Sequence, residues 1–161
     1  MKKIVLLIFT MALLTVTAGC ALPLVNKFDP AEAQAALEPG NNTIIGNAFF
    51  RHVYGIRECA GLPVQLIPVT AYSTERMRKT FRSTEAGDYF INTFPGFEND
   101  DPAFYSEGYR TEVCDIDSYF VFDAVKDGEY YIAARVDGYV WIMNRVSVSG
   151  GKTIKVIVIG R

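Results

Sequence analysis

Residues 115–132, DIDSYFVFDAVKDGEYYI, constrain the fold more than any other stretch. Phe120 and Phe122 stand two apart, Lys126-Asp127-Gly128 supplies a turn, and Tyr130, Ile132 and Ala134 resume the two-residue beat. Successive side chains of a strand point to opposite faces, so this spacing predicts a hairpin with one buried face. From Thr43 onward similar short runs recur between turn signals, at 44–52, 64–70, 89–94, 109–114, 119–123, 129–137, 139–147 and 153–159. Seven or eight strands without a long helical pattern between them predict an all-β fold. The expected form is an antiparallel Greek-key-type sandwich with a short helical excursion. Half of the 161 residues are apolar, enough for one domain's core.

Two short helices are expected. Asp29 can cap the first, with Pro30 at its first position and Glu32 three residues after the cap, and Pro39-Gly40 ends it. That helix has only about two turns and is marginal alone, so it is expected to space or dock the domain. Pro68 cannot donate a ladder hydrogen bond, so its strand should lie at an edge or stop there. Ser73 can then cap a second helix, with Met77 and Phe81 on one face.

The spacing D-x-x-S-x-F-x-F-x-x-V-x-x-G-x-Y-x-I, from Asp115 to Ile132, resembles the core hairpin of the carboxypeptidase regulatory-like domains. Ser118 stands where that pattern usually has Gly. Val64, Leu66, Pro68, Thr70 and Tyr72 match a second strand of the same family, V-x-L-x-P-x-T-x-Y. The resemblance covers 43–161 and implies a small prealbumin-like sandwich. It does not imply peptidase activity, because in those enzymes this sandwich is an accessory domain and the zinc site lies elsewhere.

The N-terminus resembles a bacterial lipoprotein signal. Lys2 and Lys3 precede an apolar run at 4–16, too short to span a bilayer comfortably, and Thr17-Ala18-Gly19 places small residues before Cys20. The resemblance implies cleavage after residue 19, acylation of Cys20 and a lipid-anchored tether over 20–42. Ala21 after the cysteine implies, by analogy with Gram-negative sorting, the outer membrane. An ordinary secretory signal is the alternative. With Cys20 assigned to lipid, Cys59 and Cys114 remain as a pair in an oxidising compartment, where a disulfide is the default and two free thiols the alternative.

Function is less constrained. Removing residues 1–19, which hold Lys2 and Lys3 and no acid, leaves 14 basic against 18 acidic side chains, so the chain has no global attraction for nucleic acid. No phosphate loop, nucleophile elbow, zinc signature or EF-hand spacing appears, and no cofactor is implied. Aromatic residues are the best binding candidates: Tyr139, Trp141 and Tyr131, with Tyr105 and Tyr109 in reserve. Val140 and Ile142 alternate with the first two and should face inward. Arg76, Arg78, Lys79 and Arg82 form a basic cluster that is either a solvated helix face or a site for anionic headgroups or polysaccharide. Residues 98–101, Glu-Asn-Asp-Asp, are a weak calcium-loop candidate against a plain solvated turn. Two classes of function follow. One is a non-catalytic, membrane-anchored module for envelope protein or glycan; the other is a small transthyretin-like hydrolase using His52, the single histidine, with Arg51 or Arg57.

Overall fold

The computed structural model describes residues 21–160, so the proposed signal and Cys20 lie outside the described residues. Among these residues three α-helices occur, α1 (Pro30–Leu37), α2 (Ala71–Phe81) and α3 (Ala103–Glu107). Nine strands accompany them: β1 (Asn42–His52), β2 (Gly55–Glu58), β3 (Pro63–Pro68), β4 (Ala86–Phe90), β5 (Arg110–Val113), β6 (Tyr119–Val125), β7 (Gly128–Val136), β8 (Val140–Val148) and β9 (Thr153–Gly160). They form two sheets, as the alternation predicts.

The first sheet is built on β1. β9 runs parallel along one of its edges; the other edge is shared, with β6 antiparallel over 42–47 and β2 antiparallel over 49–52. The second sheet has the order β4-β8-β7-β3-β5 and is antiparallel throughout. The stretch that looks like a hairpin is therefore an arch. β6 pairs with β1, whereas β7 pairs with β3 and β8, so the turn at Lys126-Asp127 carries the chain from one sheet to the other. Alternation cannot distinguish the two, because either connection turns Phe120, Phe122, Tyr130 and Ile132 toward one core. Buried Asn42 secures this corner. Its side-chain amide donates to Val125 C=O at 2.9 Å and to Asp127 at 2.8 Å, and its Oδ1 accepts from Lys152 N–H at 3.0 Å.

The inter-sheet core joins Ile44, Ala48, Phe50, Phe120 and Phe122 to Val64, Leu66, Ile132, Ala134 and Ile142. Gly46 is required here, since a Cβ would collide with the Phe120 ring and Val156. A second core lies on the other side of the second sheet. Ile67, Tyr131, Ala133 and Met143 are covered there by Tyr72, Met77 and Phe81 of α2, Phe104 of α3 and Leu24 of the N-terminal segment. The molecule thus has three layers, and β7 is buried on both faces from Tyr130 to Ala134.

Local signals account for the covering layer. Asp29 accepts from Ala31 N–H and Glu32 N–H at the start of α1. β3 stops at Pro68, and the cap of α2 is Thr70 rather than Ser73: Ser73 N–H donates to Thr70 Oγ1 while Ser73 Oγ accepts from Thr70 N–H. β4 ends at Phe90 rather than 94, because Ile91–Thr93 winds into a 3₁₀ turn in which Thr93 Oγ1 donates to Phe90 C=O. The segment 22–26 pairs with the fold through one parallel β-bridge, Leu22 to Phe97, and is otherwise held by side chains. Glu75 accepts from Val25 N–H, Asn26 N–H and the Asn26 amide, and Asn99 both donates to and accepts from the Leu24 backbone. Burial alone would raise the Glu75 pKa; hydrogen bonds from Asn26, Lys79 and Val25 outweigh it and hold the value down at about 2.

Cys59 and Cys114 form a disulfide with a Cα–Cα distance of 5.8 Å. Cys59 follows β2 of the first sheet and Cys114 follows β5 of the second, so the bond staples the sheets at one edge. It closes a loop with a separation of 55 residues, for which the chain-entropy relation gives about 4 kcal/mol. The Cys59→Ser/Cys114→Ser variant is expected to keep its far-ultraviolet circular dichroism and to lose about that much unfolding free energy in a denaturant titration. A loss below ~1 kcal/mol would show that the staple is redundant with the sheet contacts.

Candidate functional site

The outer face of the second sheet forms the floor of a cleft. Strand register sets Tyr89 opposite Trp141 and Trp141 opposite Arg135, and in the next row Met143 opposite Ala133 and Ala133 opposite Gln65. Ala133 is the small residue between Met143 and Gln65 in that second row. Its missing bulk leaves a hollow that the covering helices do not fill. One wall comes from Arg76, Met77, Thr80 and Phe81 of α2. The opposite rim comes from Phe94, Phe97, Phe104, Tyr105 and Tyr109. The resulting cleft has a volume of ≈ 260 Å³ and is aromatic, with Gln65, Arg76 and the tyrosine hydroxyls as its polar groups.

Arg76 organises the rim. Its guanidinium lies 4.3 Å from the Phe104 ring centre and 4.5 Å from that of Phe97, so it is sandwiched by aromatic faces that favour a cation. It is ion-paired with Asp100 and donates to the Tyr72 and Tyr105 hydroxyls, both at 3.2 Å. Tyr105 and Tyr72 in turn donate to Asp100. The Arg76 side chain is only 8% exposed. Burial works against the charge on Arg76, but hydrogen bonds to Asp100 and Tyr105 raise its pKa further; burial likewise opposes ionised Asp100, and the Tyr105 and Arg76 bonds hold its carboxyl below its ordinary value. Burial raises the phenols of Tyr72, Tyr105 and Tyr109 and pushes Tyr89 up to about 12. These hydroxyls stay protonated near neutral pH, so they suit hydrogen-bonded recognition better than proton transfer.

A larger open cleft of ≈ 690 Å³ adjoins this one and shares Thr80, Tyr89 and Phe94 with it. Its remaining lining includes Leu22, Lys79, Arg82, Asp88 and Phe90.

The structure separates the three aromatic candidates. Trp141 is half-buried in the floor of the aromatic cleft, with Val140 and Ile142 turned into the inter-sheet core as alternation requires. Tyr131 is fully buried beneath α2, its hydroxyl donating to Thr74 Oγ1 at 3.1 Å, and offers no ligand surface. Tyr139 is 72% exposed in the turn between β7 and β8 and lines a different cleft with Phe50, His52, Arg57, Phe90 and Asp137. The three do not share one exposed surface, because Tyr131 and Trp141 sit on the outer face beneath α2 while Tyr139 lies in the β7–β8 turn. Tyr105 and Tyr109 both join Trp141 in the aromatic cleft.

The other candidates sort as clearly. Arg76 is buried, so only Arg78, Lys79 and Arg82 remain of the basic cluster at the surface. Residues 98–101 are engaged by protein: Asn99 binds Leu24, Asp100 binds Arg76, and Asp101 accepts from Ala103 N–H. Among the described residues no group of three or more His, Cys, Asp or Glu is arranged to hold a metal ion. His52 is exposed, and its Nδ1 accepts from Tyr54 N–H at 3.4 Å. Arg57 and Asp137 share that cleft and pair with each other at 3.4 Å. The Arg76–Asp100–Tyr105 set is invisible in sequence spacing, since its members lie 24 and 29 residues apart. The density of aromatics at Phe94, Phe97, Phe104, Tyr105 and Tyr109 was the available clue.

No protein-family model matches the chain, and no curated protein is detectably similar to it. Among solved structures, the crystal structure of a proposed carbohydrate binding protein from Pseudomonas aeruginosa matches with a TM-score of 0.64 at 23% identity. The match covers 83% of this chain and 98% of that one. At that identity the likeness establishes the fold.

The buried pair has a pH signature. A carboxylate whose pKa is depressed by folding adds stability that is fully present above its unfolded value, near 4, and is lost as pH falls through the folded value. Asp100 and Glu75, the latter at about 2, both act in this direction. Unfolding midpoints are therefore expected to fall between about pH 4.5 and 2, with a shallower fall in Asp100→Asn. At neutral pH the same variant strands a buried guanidinium and is expected to lose about 3–5 kcal/mol. An unchanged midpoint at pH 7 would mean that the aromatic faces alone hold Arg76.

Proposed function

We propose that this chain is a non-catalytic binding module, held at a bacterial envelope through acylated Cys20, that takes a glycan into the cleft floored by Trp141. The observation that carries the reading is the lining itself. Sugar rings present flat C–H faces that pack on aromatic rings and hydroxyls that need a few fixed partners. Trp141, Tyr89 and Tyr109 supply the rings, and Gln65, Tyr105 and the Tyr109 hydroxyl supply the partners. The Pseudomonas aeruginosa neighbour is itself a proposed carbohydrate binder, and the reading brings that ligand class to this chain. The likeness in fold supports the scaffold; the cleft chemistry supports the ligand. A carboxypeptidase regulatory-like ancestry and an outer-membrane location belong to the same proposal.

The hydrolytic alternative has less support. A general base needs an orienting partner, yet the carboxylate beside His52, Asp137, pairs with Arg57, and His52 Nδ1 accepts a backbone N–H.

Trp141 is the single tryptophan, so its emission reports directly on the cleft. Titration with neutral and acidic oligosaccharides is expected to give a saturating emission shift for at least one class. Tyr109→Ala should weaken that binding at least tenfold, about 1.4 kcal/mol, and Tyr139→Ala should leave it unchanged. Binding that survives Tyr109→Ala but not Tyr139→Ala would move the site to the cleft beside His52, and silence across the panel would overturn the glycan reading.

A further inference from the structure

We propose that the α2 face beside Leu22 docks on an anionic lipid surface, so that the domain lies against the membrane rather than swinging from it. This rests on the reading of Cys20 as the acylated residue. The segment that follows Cys20 is not free chain. Glu75 holds the Val25 and Asn26 N–H groups, Lys79 donates to the Pro23 carbonyl, and Leu22 exchanges backbone hydrogen bonds with Gly96 and Glu98. Glu75, Arg78 and Lys79 recur at i, i+3 and i+4, one stripe along α2, and Arg82 follows at the end of the helix in a left-handed cap. Read from residue 26 back to 22, the segment follows this stripe from Glu75 to Lys79 and reaches the open cleft that Leu22 and Arg82 both line.

The docked position of Leu22 sets the geometry. Two residues of extended chain reach at most about 7 Å, so an acyl group on Cys20 is anchored close to the Leu22 rim. That rim has the composition of a headgroup-level surface. Arg82, an exposed cation, and Phe90, 42% accessible, line it with Leu22; exposed Arg78 lies one turn back on α2 beside Asn26 and Glu32, and Ile91, 39% accessible, follows Phe90. Asp88 lines the same cleft and Glu75 offsets Lys79, so the excess positive charge is modest. The chain as a whole is acidic, with 14 basic against 18 acidic side chains after residue 19, so attraction to anionic lipid has to come from a local stripe such as this one. A local excess suffices once acylation has already confined the domain to the surface.

The aromatic cleft shares Thr80, Tyr89 and Phe94 with the docking rim, which makes Trp141 a reporter of orientation. Since Cys59 and Cys114 are bonded to each other, Cys20 is the single thiol available for coupling. The mature chain, residues 20–161, is coupled through Cys20 to a maleimide lipid in vesicles carrying a dansyl headgroup acceptor. Energy transfer from Trp141 is expected to be at least twofold more efficient in phosphatidylglycerol-containing vesicles than in pure phosphatidylcholine. Arg78→Glu/Arg82→Glu should abolish that difference, and Lys155→Glu, on the far sheet, should leave it intact. Equal transfer on both vesicles, or an equal loss in Lys155→Glu, overturns the docking. The intact mass of protein purified from cell membranes decides the acylation separately: an unmodified Cys20 removes the anchor, whatever the vesicles show.

Discussion

The rest of the structure depends on β7 being apolar on both faces. Tyr130, Ile132 and Ala134 enter the inter-sheet core while Tyr131 and Ala133 face the other way, and all five are buried. A strand of this kind cannot form an outer layer, because exposing either side would return large apolar side chains to water. The second sheet must be covered twice. The first sheet covers one face; α2, α3 and the N-terminal segment are recruited for the other. A docked segment that is neither helix nor strand brings unpaired backbone groups with it, and Glu75 and Asn99 meet them. The aromatic cleft lies where this cover is incomplete, above Ala133.

Much of the sandwich was legible. Alternation located β1, β6, β8 and β9, Pro68 marked the end of β3, and cysteine arithmetic paired Cys59 with Cys114. What alternation cannot carry is which strands share a sheet, so the β6–β7 arch reads as a hairpin. Nor does it reveal that the residues between inward positions are also covered. Tyr131 looked like a surface aromatic for that reason, whereas the outward direction of Trp141 was read correctly and only its cover was missed. β2 was not legible at all, since every residue of Gly55–Glu58 is exposed and its pattern holds no buried face.

The rim of the cleft shows why charge pattern on a helix is a weak guide. Arg76, Arg78, Lys79 and Arg82 look alike in sequence, yet one is interior and three are not. Facing Phe97 and Phe104, Arg76 can be buried because Asp100 and two phenol oxygens accept hydrogen bonds from its N–H groups. The same ring of contacts fixes Tyr105 and so the shape of the opening. Rigid, protonated hydroxyls beside aromatic faces give that opening a fixed shape.

The parallel β1–β9 pair bears on how the chain acquires its shape. Asn42 and Lys152, joined at the start of that pair, stand 110 residues apart, so the first strand waits for the last. A nucleus built from such distant partners forms slowly, since long loops must close before their contacts form. Until residue 160 is present, β1 has one edge open. A polypeptide wired in this order completes its first sheet only after its last strand has been made, so the order of synthesis and the order of closure run opposite ways.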